Sequence, residues 1–585
     1  MSSPAASAHA AVESLYLGSE GRFWFVSLHR ASPAADTGIG LVIVPPFGFE
    51  AVCAHRALRH MAEDAAIAGV SAVRIDLDGT GDSSGDDLEP ERLAHWIASI
   101  DAAADFLRAN GATRVVLAGV RLGALLAILC ATGRRDVAGV VAIAPVVSGR
   151  RWLREMRVLQ LALDLAPTPS ERVLVDEVQE VIGFALTAQT RDAVTRIDLE
   201  KLAQLPAPSV LIIDRHDLPA ATRWAAHLRE LGVTVEYEKL PGYTEMMLDP
   251  HRTEVPVEII NATIAFAAMR PALDVVHSAP DSAAYSRVQM GSVLEQVVVM
   301  NNDLRAIVTQ PAEARPRSAL VFLNAGGVRR IGPNRLHVPL ARRIADEFAM
   351  MVLRVDLSGL GDSPSRDGTP ENMVYHEHAI DDIQTIVAWI HQQGIADVYL
   401  AGLCSGGYYA LEAAHVGRPL RGVIVINPGA PGVPDDLSPY QAVADAARYR
   451  KMMRSPRGWS QVFAKMVDPN ALRRLITTVI KRTCSSASVI VGSVLRRVGV
   501  SLKSDSGTRL AALCGRGVAI TFVFCADEPG LVVLRERAGS VLLKMQRDDA
   551  ISLRVLDGID HTFTPLWSHP VLTAELLTAL RRTCV

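Results

Sequence analysis

LAGLCSGG, residues 400–407, is the stretch on which the reading of this chain turns. An apolar run, ADVYLAG, leads into it, and a helix-forming run, YYALEAAHVG, follows it. Cys404 sits at the centre of a G-x-Cys-x-G frame between Gly402 and Gly406. A nucleophile raised on a sharp strand-to-helix turn needs very small flanking residues, because the two backbones cross beside it. The frame centres on Cys404 and not on Ser405, so the thiol is the candidate nucleophile. A helix N-terminus and a neighbouring His both favour the thiolate, which is the reactive form.

Downstream, the apolar run AITFVFCA ends at Asp527, and the loop LDGIDHTFTP, between ISLRVL and the helical LTAELLTALRR, carries His561. Nucleophile, acid and His therefore follow one another in the chain order of an α/β-hydrolase. Asp527 is expected to orient His561 and to stabilise its imidazolium. Glu528 beside it, and Asp560 next to the His, are the alternatives. The backbone N–H of Ser405, with that of Ala325 or Gly326 from the loop after LVFLN, would form the oxyanion hole. Nothing in these motifs requires a cofactor or a metal.

The same plan occurs earlier in the chain without its chemistry. DLDGTGDS at 76–83 returns as DLSGLGDS at 356–363, and GVRLG at 119–123 returns as GLCSG at 402–406. Where the second copy has Cys404, Asp527 and His561, the first has Arg121, Asp217 and Glu245. Arg stays protonated at neutral pH and cannot act as a nucleophile. The first copy is then a structural half, or an anion-binding pocket around Arg121, or a cleft closed by an Arg121–Glu245 ion pair. DLDGTGDS lacks the spacing of a dinucleotide-binding loop, and its duplicate marks it as framework.

In both copies near-continuous apolar strands alternate with amphipathic helices, which implies a mostly parallel sheet covered on both faces. The expected architecture is two tandem α/β-hydrolase domains: a degenerate one over 1–279 and a catalytic one over 280–585, parted in the Pro-, Ser- and Ala-rich segment 269–291. The distance between copies is 280 residues at DLxGxGDS, 283 at the turn and 310 at the acid. The extra length falls between turn and acid, where such domains carry a lid. The second copy therefore has the larger helical lid, roughly 430–505, and the first a smaller one, roughly 147–203.

The 585 residues suit two large domains, and 49% hydrophobic content with a net charge of −3 describes a globular chain. Seven Cys without CxxC pairing suggest a reducing cytoplasm, and the first residues show no secretory leader pattern. No stretch is apolar enough for a membrane span. Charge is uneven, however: Ala446–Ser504 holds thirteen Lys and Arg against one acid, Asp468. This is either a solvated helix face or a surface for an anionic partner, such as a carrier-bound or coenzyme A acyl group, an acidic polymer, or a membrane surface touched peripherally. Nucleic acid is disfavoured, since a hydrolase core gives it no task. The oligomeric state is not legible.

DLSGLGDS, GLCSGG and GVRRIGPNRLHVPLARRIA together resemble the serine-aminopeptidase-like (S33) hydrolases, in particular those of bacterial exosortase and exopolysaccharide clusters. The Cys elbow is similar to that of dienelactone hydrolase and polyhydroxyalkanoate synthase. This resemblance implies a Cys404–Asp527–His561 triad and a hydrolase or acyltransferase acting on an ester or thioester. A non-catalytic binding or scaffold protein with two silent folds is the alternative.

Overall fold

The computed structural model describes residues 12–19, 21–162, 178–270, 283–429 and 506–583. The basic segment and the larger lid lie outside these residues. Strands form two large, mostly parallel sheets flanked by helices. The chain groups into two compact units. The first is Met1–Arg317 with Gly326–Met373 and Phe563–Leu572; the second is Ser318–Ala325 with Val374–Thr562 and Thr573–Val585.

In the first unit, Ile39–Val44, Arg114–Val120, Val137–Ile143, Ser209–Arg215 and Thr234–Leu240 pair in that order, all parallel. Val70–Ile75 pairs parallel on the other side of Ile39–Val44, and Arg22–His29 and Val12–Ser19 extend that edge antiparallel. Strand residues alternate between two cores. Val42, Val44, Leu117 and Ile212 join one, and Leu41, Ile43, Ala118 and Ile213 join the other. Side chains two residues apart share a face, so a strand apolar at every position must be covered on both sides. Helices Arg92–Ala109 and Leu122–Thr132 supply the first core, and Phe49–Ile67 and Val257–Ala268 the second.

The second unit repeats this order. Ser318–Leu323, Asp397–Leu403, Gly422–Ile426, Ala519–Cys525 and Ile551–Leu556 pair successively, all parallel. The strands that correspond to Val12–Ser19, Arg22–His29 and Val70–Ile75, namely Val293–Val299, Arg305–Pro311 and Met351–Val355, belong to the first unit. The smaller lid region of the first copy contains helix Gly149–Ala162, the hairpin Val178–Val181 with Phe184–Thr187, and helix Ala188–Thr195.

A buried charge network explains why Met351–Val355 and the DLSGLGDS loop group with the first unit. Arg74 donates to Asp362 at 2.8 Å, and Arg354 donates to Asp82. Arg330 lies among Asp82 at 2.8 Å, Asp356 at 2.8 Å and Asp362 at 2.7 Å, while Arg329 reaches Asp76 at 2.6 Å. Arg335 donates to the carbonyls of Gly81, Ser83 and Gly85. Burial alone would oppose ionisation of Asp82, but Arg330, Arg354 and Arg329 hold its carboxyl well below the usual range. The Arg residues of GVRRIGPNRL, noted above for their resemblance, thus have structural partners.

Candidate active site

The elbow is sterically determined. Strand Asp397–Leu403 turns into helix Ser405–Val416 at Cys404, whose φ of 56° and ψ of −116° lie where L residues are rare. A Cβ on Gly402 would stand 2.2 Å from the backbone of Gly406. A Cβ on Gly406 would stand 2.8 Å from the Asn324 carbonyl oxygen. Both glycines are therefore required by close backbone approach. The turn is pinned by the Cys404 N–H to the Ile426 carbonyl at 3.0 Å and the Gly429 N–H to the Cys404 carbonyl at 3.1 Å.

His561 and a carboxylate meet at this turn. The side chains of Cys404 and His561 face each other, and each shifts the other's pKa toward the charged form. His561 Nδ1 lies 2.8 Å from Glu528 Oε1. Here the structure departs from the sequence expectation, which gave the acid position to Asp527. Asp527 is exposed, whereas the buried Glu528, one residue on and immediately before Pro529 of helix Pro529–Arg547, turns toward the His. The Asp560 carboxylate is engaged by Thr562 at 3.3 Å instead. Burial opposes a thiolate at Cys404, but the His561 hydrogen bond and charge, the Ser405 N–H and the Tyr375 hydroxyl together hold its pKa below the ordinary thiol value. Burial likewise disfavours the imidazolium, yet Cys404 and Glu528 raise His561 well above its ordinary value. The resting pair is driven toward thiolate and imidazolium.

Ser405 is buried and its hydroxyl donates to the Asn324 carbonyl at 3.3 Å, at the foot of the loop that carries Ala325. Ala325 is buried in the second unit. Gly326 falls in the first unit, with a φ of 57° and open space at its Cβ position. Two contributors had escaped the sequence reading. Asn427, fully buried, donates to the His561 carbonyl at 2.8 Å and accepts from the Cys525 N–H at 2.8 Å, so it braces the loop of the base. Tyr375 brings its hydroxyl to the thiol.

The first copy keeps the elbow and loses the site. Arg121 has φ 54° and ψ −117°, its N–H donates to Ile143 at 3.0 Å, and the Val146 N–H donates to its carbonyl at 3.3 Å. Each of these repeats a feature of Cys404. The expected Arg121–Glu245 pair does not form. The Arg121 side chain pairs with Glu50 at 2.9 Å and Glu155 at 2.6 Å, while Glu245 is exposed. Asp217 is likewise turned to solvent and paired with Arg215 at 2.6 Å. Elsewhere, Asp78, Glu89 and His95 bring ligand atoms within 4.8 Å of one another, but the Arg22 guanidinium lies 2.7 Å from Asp78 and 2.9 Å from Glu89 and supplies the positive charge there.

Residues 320–576 match the alpha/beta hydrolase family, and residues 54–207 match the serine aminopeptidase S33 family. The two matches together span more than half of the chain. It is a tandem α/β-hydrolase. Solved structures similar to this hydrolase include three at low identity. An α/β serine hydrolase without a lid from Xanthomonas campestris is 15% identical, covering 45% of this chain and 96% of that one, with a TM-score of 0.30. Est1E from Butyrivibrio proteoclasticus is 18% identical over 43% and 96%, with a TM-score of 0.32. Brefeldin A esterase, described as a bacterial homologue of human hormone-sensitive lipase, is 19% identical over 46% and 79%, with a TM-score of 0.31. No curated protein matches the chain. No described helix is long and apolar enough to cross a membrane.

Proposed function

We propose that this hydrolase works through an acyl-enzyme on Cys404, with His561 as the base and Glu528 as the group that orients it. The observation that supports this reading is the side-chain run from Cys404 to His561 to Glu528 at a strained elbow. The thiolate attacks an ester or thioester carbonyl, and the oxyanion takes the Ser405 N–H together with that of Ala325, the candidate that lies in the same unit. Protonated His561 then gives its proton to the departing alcohol or thiol. In the second half-reaction the incoming acceptor loses its proton to His561, attacks the acyl carbon, and the C–S bond breaks. The thioester intermediate suits transfer to an alcohol, amine or thiol at least as well as hydrolysis. The working copy is 280–585, and 1–279 is non-catalytic, because Arg121 occupies its elbow between two carboxylates. The positive charge of 446–504 favours an anionic acyl donor, carrier-bound or joined to coenzyme A. A reducing cytoplasm would keep the thiol competent.

Incubation with a p-nitrophenyl acyl ester should add one acyl group to the intact chain, and peptide mapping should place it on Cys404. Cys404→Ala should lose both the adduct and turnover. Full turnover in Cys404→Ala, or an adduct on Ser405, rules the assignment out. A chain that neither turns over nor acylates would be a binding protein built on two silent folds.

A further inference from the structure

Tyr375 carries a second feature at the elbow. It precedes helix Ala379–Gln392 with a φ of 66°, a left-handed conformation costly for a bulky residue and kept only where surrounding structure fixes it. Its ring packs against Tyr408 at 5.6 Å and Tyr409 at 6.1 Å, both on the elbow helix. Those two rings lie 5.4 Å from each other. The hydroxyl end comes so close to Gly429 that a Cβ there would stand 1.9 Å from the oxygen. Gly429 is in turn the residue whose N–H binds the Cys404 carbonyl. The position equivalent to Gly429 in the first copy is Val146, which makes the same bond to Arg121. Two aromatic rings and one glycine thus fix the Tyr375 phenol beside the turn that carries the nucleophile, and its hydroxyl helps to lower the Cys404 pKa.

We infer that Tyr375 is a further catalytic residue, donating its hydroxyl hydrogen to Cys404 Sγ as the sulfur departs in the second half-reaction. This rests on the acyl-enzyme reading above. During acylation the thiolate spends its charge on the acyl carbon, and a donor to sulfur brings no advantage. During deacylation the direction reverses. The acceptor oxygen, its proton taken by His561, bonds the acyl carbon. The tetrahedral intermediate collapses, the C–S electron pair returns to Sγ, and negative charge builds there. His561 holds the proton just taken from the acceptor, so a hydroxyl donor other than His561 stabilises the departing thiolate without changing the proton balance. Hydrogen bonds to a charged partner are the stronger kind, so the contribution grows as the bond breaks.

The test uses the full chain and p-nitrophenyl acetate. Tyr375→Phe keeps the ring and removes the hydroxyl. It should still release a stoichiometric burst of p-nitrophenolate, but steady-state turnover should fall about tenfold. Acetyl-Cys404 should accumulate in the intact mass, and the iodoacetamide profile of Cys404 should move to higher pH. Tyr408→Phe removes a hydroxyl from the same ring cluster and should not accumulate acyl-enzyme. If Tyr375→Phe acetylates at Cys404 but turns over within about twofold of the parent, the role given to Tyr375 is wrong and the acyl-enzyme reading stands. Equal accumulation in Tyr408→Phe would trace the effect to packing and overturn the proposal. If the parent is never acetylated on Cys404, both readings fall together.

Discussion

Cys404 differs from the other described thiols in what surrounds its sulfur. Burial, aided by nearby carboxylates, pushes Cys53 and Cys525 up to about 12, raises Cys130 further, and burial also raises Cys514. Only Cys404, among the described residues, is held below the ordinary thiol value. The thiolate is the nucleophile, so iodoacetamide at neutral pH should alkylate Cys404 before these four. Its rate should fall as pH drops through its lowered pKa, whereas theirs should rise only on the alkaline side. Glu528 enters through His561, whose imidazolium it stabilises. Glu528→Gln should therefore move the Cys404 profile to higher pH and cut turnover by about a hundredfold or more. Asp527→Asn should leave both close to the parent. A shift in Asp527→Asn with none in Glu528→Gln would return the acid role to Asp527.

The elements carry the part of the site that was legible from residue spacing. Two glycines flanking one residue, between an apolar run and a helical one, state a steric requirement, and Gly402 and Gly406 meet it in space. The first copy repeats this with Gly119 and Gly123, where a Cβ on the latter would stand 2.4 and 2.5 Å from the Pro45 and Val44 carbonyl oxygens. The acid was legible only to within a residue. Asp527 and Glu528 are adjacent, and which of them faces the His depends on how the loop leaves strand Ala519–Cys525, a matter of dihedral angles and not of composition. Asn427 and Tyr375 lie 134 and 186 residues from His561, and neither sits in a motif. The Ala144 equivalent of Asn427 has the same positive φ, so the backbone repeats where the side-chain role does not. Glu50 pairs with Arg121 across 71 residues, a contact no local pattern announces. Gly406→Ala tests the steric argument. Its Cβ would meet main-chain oxygens of Leu323 and Asn324, which cannot yield as a side-chain tip can. A loss of about 1–3 kcal/mol in urea unfolding is expected, with reduced acylation of Cys404. A fully stable, fully active variant would mean that the elbow tolerates more room than its geometry implies.

On the scale of the molecule, a fully buried polar feature among the described residues is the Arg and Asp network of the first unit. Arg354, Asp82 and Glu295 are completely buried, and Glu295 accepts from Arg354 at 3.1 Å and from Arg342 at 3.0 Å. Removing one member strands its partners away from water. Arg354→Met should therefore cost about 3–5 kcal/mol in urea unfolding. Replacing Asp82 by Leu in the same chain should recover part of that loss, because a buried carboxylate left with Arg330 as its close partner is then gone. A cost below about 1 kcal/mol for the single change would mean that water or a neighbouring cation compensates Asp82.

Arg74 and Arg354 stand 280 residues apart, and so do Asp82 and Asp362. Arg74 takes the later Asp and Arg354 takes the earlier one. This is the signature of an isologous contact, in which residue i of one partner meets j of the other and j meets i. A homodimer writes such a contact with one gene, so every mutation strikes it twice. Here the two halves of the contact are encoded separately and can diverge one at a time. The same freedom extends to the elbows: a chain with two copies of one turn can surrender Arg121 to ion pairing and still hold a thiol at Cys404.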